Sequence, residues 1–274
     1  MTDTTDRYDR IAAGYERWWA PVLAPSAVAL LDRFESVVQA GGCDLVDVGV
    51  GTGNLAIPAL RRWPEVRISA IDASREMIEA ANALVEERAP AARDRFEGHV
   101  AFAADLPFDD GSFDAAMSSF VLQLVPNRAK VLREVRRVLR PGGLFAYVTW
   151  LADARVFAPD RVFDGLLEEF GFDNDPDPNR NGDIPSVGRA AAELQRAGFR
   201  DVAATPATLA YTFTVDGYIS FLTEFDEESL FEEMRREERR RFLARFRERL
   251  MALQPEEMTF RVPIVYAEGR RSGR

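Results

Sequence analysis

The chain has 274 residues, a hydrophobic content of 47% and a formal net charge of −10 at pH 7. This length suits one large globular domain, or a domain with an embedded smaller one, and the charge argues against binding to nucleic acid. A single cysteine, Cys43, excludes a disulfide within the chain. Because the sequence lacks an apolar run of about 20 residues and the N-terminus lacks the order of a signal peptide, we expect a cytoplasmic protein.

The N-terminal region is predicted to be helical. Residues 7–19 carry aromatic side chains at helical spacing, Tyr8 and Tyr15 among them. Two interpretations stay open: a helix that docks on the body through an aromatic stripe, or a lid whose Tyr15 faces a ligand. The prolines that follow, Pro21 and Pro25, are expected to end this helix.

A glycine-rich turn follows the first predicted strand. The apolar residues Leu45, Val46 and Val48 predict a strand that Asp47 interrupts. Gly49, Gly51 and Gly53 come directly afterwards. Glycine permits a positive φ and lets a ligand approach the backbone closely. A helix after the turn would direct its free N–H groups towards that ligand. The sequence therefore predicts a ligand site at this turn.

The spacing of the glycines distinguishes between two kinds of ligand. A dinucleotide fingerprint, G-x-G-x-x-G, would place its third glycine at the position of Asn54. Here the glycines follow the order G-x-G-x-G instead. The carboxylate of Asp47 would repel a pyrophosphate and attract an ammonium group. The turn therefore favours a ligand with a positive group, and a nucleotide-dependent oxidoreductase is the less favoured alternative.

Strands alternate with helical segments beyond the turn. This alternation predicts a mostly parallel sheet with helices on both faces, and such sheets bind ligands at the carboxyl ends of their strands. The further strands are predicted at residues 66–71, 99–103, 113–118, 144–150, 202–213 and 259–267.

We predict an α/β fold: a Rossmann-like, doubly wound, mostly parallel seven-stranded sheet with an N-terminal helical lid and a helical insertion before the last strand. Residues 1–43 would form the N-terminal helical cap, and residues 44–214 and 259–274 the core. Residues 215–258 would form the insertion that covers the substrate. Its first part, to residue 253, is expected to be wholly helical, and the basic C-terminal tail is expected to fray.

Four stretches of the chain, taken in order, resemble the motifs of class I S-adenosylmethionine-dependent methyltransferases. The closest resemblance is to the small-molecule branch that includes the ubiquinone/menaquinone-biosynthesis type enzymes. It implies S-adenosylmethionine as cofactor, S-adenosylhomocysteine as product and a small-molecule methyl acceptor. The matching residues are 47–53, 71–74, 104–108, and 113–123 together with 139–143.

The resemblance implies contacts along the whole cofactor. Gly49, Gly51 and Gly53 would pass under its methionine and ribose parts. Asp47 would help to hold the ammonium group. The two oxygens of Asp72 would accept both ribose hydroxyls, although a helix-capping role for this residue is an alternative.

The adenine end would be formed by residues that follow the second and third strands, and Tyr8 and Tyr15 would close the site. Asp105 would accept from the exocyclic amine, and the Leu106 N–H would donate to a ring nitrogen. Packing roles in a turn, the core or a strand are the alternatives for several of them. The set at the adenine comprises Ala73, Met77, Ala104, Asp105 and Leu106. Ser118 would line the cofactor through its backbone.

Methyl transfer from a sulfonium is an in-line displacement, so the protein mainly aligns the reactants and excludes water. This chemistry requires no metal, and the sequence assigns no certain catalytic residue. Tyr15, Gln123 and Trp150 are candidates to orient a substrate. Gln123 stands where many relatives carry histidine, which removes one possible general base. A cofactor-binding scaffold or regulator without turnover is the alternative function.

Overall fold

The computed structural model describes residues 14–39, 43–172 and 182–273. Its centre is one seven-stranded sheet in the order β3-β2-β1-β4-β5-β7-β6, in which β7 runs antiparallel to both of its neighbours. The predicted fold class is therefore confirmed. The strands are β1 (Cys43–Val48), β2 (Val66–Asp72), β3 (Phe96–Val100), β4 (Phe113–Ser119), β5 (Leu139–Trp150), β6 (Phe199–Thr212) and β7 (Thr259–Arg271).

Helices cover both faces of the sheet, and the inner strands are buried on both sides, as their continuous apolar runs require. None of the helices in the described ranges is long and apolar enough to cross a membrane. The α-helices before the insertion are α1 (Ala20–Leu30), α2 (Glu35–Val38), α3 (Ala56–Arg62), α4 (Arg75–Arg88), α5 (Arg128–Val138), α6 (Ala158–Phe170) and α7 (Val187–Arg196).

The expectation that two prolines end the N-terminal helix was wrong. A π-helical segment, Tyr15–Trp19, runs directly into α1, and Pro21 and Pro25 lie inside α1. A proline in the first turn removes no helical hydrogen bond. Leu23 and other buried residues pack α1 against the core, and this packing outweighs the local penalty of the second proline. Tyr8 lies outside the described residues.

Three strand predictions need correction. The sixth strand begins at Phe199 rather than at Val202. The third strand ends at Val100, three residues before the predicted end at Ala103. The fifth strand begins at Leu139 rather than at Leu144, because Leu139 already pairs with Phe113 before the register shifts. The Pro-Gly-Gly stretch is thus an irregularity within β5.

The insertion is not one helix. It contains α8 (Val215–Phe221), a π-helical segment (Leu222–Asp226), α9 (Glu228–Glu233) and α10 (Arg236–Met251). The chain turns away from helical geometry at Met234, where ψ is 134°. These elements are attached at the end of the β6–β7 hairpin.

The basic tail is also more ordered than expected. Strand β7 continues to Arg271, and the guanidinium of Arg271 donates to the carbonyl oxygen of Arg137 at 2.7 Å. A partly buried side-chain hydrogen bond to the main chain therefore holds the end of this strand against the core, and the expectation of fraying was wrong for the described part of the tail.

Candidate functional site

A cavity of about 580 Å³ lies at the carboxyl ends of β1, β2 and β4, and we call it the first cavity. The turn after β1 contributes Gly49 and Gly51, the end of β2 contributes Asp72, and residues 119–121 follow β4. The strand order reverses between β1 and β4. The first cavity therefore occupies the topological switch point, where open parallel sheets bind their ligands.

Main-chain hydrogen bonds fix the glycine turn to the end of β2. The N–H groups of Gly49 and Val50 donate to the carbonyl oxygen of Ile71 at 2.8 and 2.9 Å. The Gly51 N–H donates to Asp72 Oδ2 at 2.9 Å, and the Ser74 N–H donates to Asp72 Oδ1 at 3.0 Å. Each oxygen of a carboxylate can accept more than one hydrogen bond. Asp72 therefore braces the turn, and its predicted role towards ribose hydroxyls stays a prediction.

Gly49 and Gly51 are required for different reasons. Both have positive φ, 79° and 53° respectively. A Cβ on Gly49 would lie 2.3 Å from Val121 Cγ2, whereas a Cβ on Gly51 would have only Tyr15 within 4 Å, at 3.8 Å. Gly49 lets the turn pack against the residues after β4, and Gly51 leaves room on the cavity side. Gly53 does not line the first cavity but packs on Ile57.

Asp47 is buried without a hydrogen-bond partner for either carboxylate oxygen among the described residues. Burial, followed by the charge of Asp72, raises the pKa of Asp47 to about 8. An unpaired buried carboxylate is unfavourable, and a cationic group is the partner that would relieve it. Asp47 does not line the first cavity, but it precedes Gly49 by two residues and interacts with Asp72, which does. These features fit a ligand that carries a positive group.

The predicted adenine contacts separate into two groups. Asp105 lines the first cavity, as do Ala73, Met77 and Ala104. Leu106 and Ser118 do not. The N–H of Leu106 donates to Glu134 Oε2 at 3.1 Å, and the Ser118 hydroxyl donates to the Val48 carbonyl at 2.7 Å. A ligand would have to replace Glu134 as the acceptor for the Leu106 N–H. The contact between this N–H and a ring nitrogen therefore stays a prediction.

Of the three candidates for orienting a substrate, only Tyr15 lines the first cavity. Gln123 donates from Nε2 to the Phe120 carbonyl at 2.6 Å, and its Oε1 accepts from the Thr149 hydroxyl at 2.5 Å. The ring of Trp150 packs against that of Phe120 with their centroids 4.4 Å apart. Gln123 and Trp150 therefore contact Phe120, which lines the cavity, and their predicted roles towards a substrate stay predictions.

Sequence reasoning missed most of the apolar side of the first cavity. Phe120 has a φ of 55°, which is rare for a bulky residue and is typical of functional sites. The position of this segment directly after β4, at the switch point, was the signal that could have identified it. The lining residues that were not predicted include Leu23, Phe102, Ser119, Phe120, Val121, Leu124, Val125, Pro126, Asn127 and Lys130.

A polar link joins the N-terminal helical segment to the turn. The Thr52 hydroxyl donates to Glu16 Oε2 at 2.7 Å, and Arg88 pairs with Glu16 at 2.7 Å. Since Glu16 follows Tyr15 in the chain, this link holds Tyr15 near the glycine turn.

Comparison with known proteins agrees with this geometry. Residues 46–147 match a protein family described as a methyltransferase domain. The chain is 41% identical over 104 residues to the ubiquinone/menaquinone biosynthesis C-methyltransferase UbiE of Geobacter sp. (strain M21), a match that covers 38% of this chain and 43% of that protein. It is 35% identical over 124 residues to the O-methyltransferase resE of Aspergillus sclerotiorum, which covers 45% of this chain and 46% of that protein. The chain thus matches less than half of the length of these curated relatives.

Among solved structures, the fold is similar to that of an N-methyltransferase from Haemonchus contortus in complex with phosphomonomethylethanolamine and S-adenosylhomocysteine. The TM-score is 0.56 at 17% identity, over 90% of this chain and 52% of that chain. This likeness shows the fold, and the sequence matches confirm the resemblance that the four motifs indicated. Residues 46–147 of this chain therefore match a methyltransferase domain and are similar to the corresponding part of the UbiE C-methyltransferases.

Proposed function

We propose that this protein is an S-adenosylmethionine-dependent methyltransferase that transfers a methyl group to a small, partly apolar organic acceptor. The observation that carries the proposal is the combination of polar groups at one cavity. A glycine turn is braced by Asp72, and the buried carboxyl of Asp47 lacks a partner in the described structure. A ligand with ribose hydroxyls and an ammonium group would satisfy both carboxylates.

The cofactor, when bound, supplies a methyl group activated by the sulfonium and a neutral thioether as leaving group. The chain's own residues bind and orient it. Asp72 holds the turn in position and offers its remaining lone pairs, and Asp47 favours a positive group nearby. Tyr15 and Leu23, from the N-terminal helices, cover the cavity and exclude water. Methyl transfer then depends on alignment rather than on a catalytic triad.

The side of the first cavity that faces the turn supports an acceptor with an apolar part. Its lining after β4 includes Phe120, Val121, Leu124 and Val125, all without charge. The relatives described above carry names that refer to carbon, oxygen and nitrogen methylation. The matched region is therefore common to enzymes with different acceptor atoms, and we propose the acceptor class from the cavity lining alone.

The division of the chain also remains part of this proposal. Residues 1–43 would act as a cap, residues 44–214 and 259–274 as the core, and residues 215–258 as the cover of the substrate. The ring of Tyr15, in the cap, packs against the ring of Phe225, in the insertion, with their centroids 6.4 Å apart. The cap and the insertion therefore contact each other beside the cavity. We further propose that the enzyme acts in the cytoplasm on a small molecule and not on nucleic acid.

Calorimetry with S-adenosylhomocysteine, S-adenosylmethionine and NADH tests the donor. We expect saturable binding of the first two ligands and none of NADH. Binding of NADH alone would overturn the proposal in favour of an oxidoreductase. Turnover of labelled S-adenosylmethionine against a panel of phenols, amines and quinone precursors then tests for catalysis. Cofactor binding without turnover of any acceptor would favour a scaffold or regulator.

A further inference from the structure

A second cavity, of about 770 Å³, lies next to the first. Residues 124–127 line both cavities, so this short segment is their shared wall. The remaining walls of the second cavity come from the first half of α5, from residues 189–197 in and directly after α7, and from Gln123 and Gly182. Of the four sequence motifs, only the last reaches this space, through Gln123, and none of the proposed cofactor contacts among the described residues lines it.

The second cavity carries an excess of positive charge. Four arginines and one glutamate line it: Arg128, Arg133, Arg189, Arg196 and Glu193. Glu193 accepts hydrogen bonds from Arg128 at 3.1 Å and from Arg189 at 2.8 Å. Arg133 and Arg196 have no carboxylate partner within residues 14–39, 43–172 and 182–273. Two guanidinium groups therefore lack a counter-charge in a chain whose net charge is −10.

The rim of the second cavity is held in place by contacts to the main chain of Gly182. Arg128 donates from Nη1 to the Gly182 carbonyl at 2.6 Å. Gly182 packs so closely on the β4–α5 connection that a Cβ there would lie 1.7 Å from the carbonyl oxygen of Gln123. Arg128 and Ala129 also begin α5, where N–H groups have no partner within the helix and the helix dipole is positive. This end of α5 adds to the positive potential of the arginines.

We infer that the second cavity binds a small anionic molecule that carries a phosphate or carboxylate group, with Arg133 and Arg196 as its charge partners. A guanidinium matches the geometry of both groups and can donate two parallel hydrogen bonds to either. The volume lies within the range of small-molecule sites. Leu124, Val125 and Leu132 supply apolar surface beside the arginines, so the ligand carries an apolar portion as well. This inference does not depend on the proposed methyl transfer.

Titration calorimetry with inorganic pyrophosphate, at constant ionic strength and without cofactor, tests the anion site. The site variant is Arg133→Gln/Arg196→Gln. The matched control is Arg236→Gln/Arg241→Gln, which removes two exposed arginines of α10 that also lack an ion-pair partner among the described residues. We expect saturable binding to the wild type, a loss of affinity of at least tenfold in the site variant, and a change of less than twofold in the control.

Three results would overturn the inference. They are the absence of saturable pyrophosphate binding to the wild-type protein, an unchanged affinity in the site variant, and an equal loss in both variants. The last result would show that general surface charge, rather than the cavity, attracts the anion. Circular dichroism of both variants shows whether each is folded, which is expected because all four arginines are exposed.

Discussion

The two sides of the first cavity are held in position by different kinds of interaction. On the turn side, the N–H groups of Gly49 and Gly51 are fixed by Ile71 and Asp72 at the end of the next strand. On the opposite side, the segment of residues 119–127 is held by buried side chains of β4, β5 and their connections. The turn side is polar and is defined by a local motif. The opposite side is apolar around Phe120, Val121, Leu124 and Val125, although Ser119, Asn127 and Lys130 also line it, and it depends on packing between distant parts of the chain.

This difference explains why the class of cofactor is easier to recognise from the sequence than the class of methyl acceptor. Main-chain hydrogen bonds and glycines at fixed spacing impose the same residue types wherever such a turn occurs. Apolar packing tolerates many combinations of side chains provided that the volume is conserved. The following predictions test how sharply the two sides differ, beginning with the largest expected effect.

Gly49→Ala tests the place where the two sides touch. The added Cβ would collide with Val121, and the alanine would also have to adopt a positive φ, which is unfavourable for a residue with a side chain. We therefore expect the free energy of unfolding, measured with urea, to fall by about 3 kcal/mol. Gly111→Ala is the control, because Gly111 has a φ of 70° but no atom within 4 Å of its Cβ position. Its expected loss is about 1 kcal/mol. Equal losses would show that contact with Val121 is unimportant.

Gln123→Met tests the apolar side alone. The variant keeps the approximate volume but removes two hydrogen bonds, which leaves the Phe120 carbonyl and the Thr149 hydroxyl without their partner. We expect the free energy of unfolding to fall by about 2 kcal/mol. The control Gln195→Met, at an exposed position of α7, should change it by less than about 0.5 kcal/mol. A loss no larger than that of the control would show that Gln123 does not support this side.

Asp72→Ala tests the turn side. The change removes the acceptor for the Gly51 and Ser74 N–H groups and for the proposed ribose hydroxyls. We expect the affinity for S-adenosylhomocysteine to fall at least tenfold, or about 1.4 kcal/mol, with the fold retained. Calorimetry measures the affinity and circular dichroism the fold. An affinity equal to that of the wild type would refute the role towards ribose.

The pH dependence of cofactor binding tests Asp47. Burial raises its pKa from 3.8 to about 8, so the carboxyl is protonated in the ligand-free protein below that pH. Only the ionised form attracts an ammonium group. Raising the pH from 6 towards 8 should therefore increase the affinity for S-adenosylhomocysteine, by at most about tenfold per pH unit, with proton release on binding. Asp47→Asn should remove this dependence, and a slope that persists in the variant would assign it to another group.

The same group makes the ligand-free protein less stable as the pH rises. Unfolding returns the pKa of Asp47 to its ordinary value of 3.8, so the unfolded chain releases its proton first. The contribution of Asp47 to the free energy of unfolding therefore decreases as the pH rises from 4 to 8, and it is constant above pH 8. Urea denaturation of the wild type and of Asp47→Asn at several pH values measures the difference.

The sequence by itself determined the sheet, the glycine turn and the donor side of the site. Asp47, Gly49, Gly51 and Asp72 occupy the ends of two strands that local patterns identify, and parallel strands bring those ends to one edge. Short-range rules of strand, turn and helix formation are sufficient for such residues. The sequence failed at Pro25 and at Met234, because packing of buried side chains decides whether a helix continues through a proline or ends without one.

Only the tertiary structure decided what lies opposite the turn. Phe120 lines the cavity in a rare backbone conformation and contacts Gln123 and Trp150. Gln123 is bonded in turn to Thr149, so these contacts join the segment after β4 to the end of β5. The second cavity is likewise lined by α5 and α7, so that Arg133 and Arg196, from separate helices, face the same space. No local sequence pattern encodes these long-range contacts, because they arise from how apolar surfaces are buried across the whole domain. The glycine turn was therefore predictable from its own residues, whereas the surfaces around it were not.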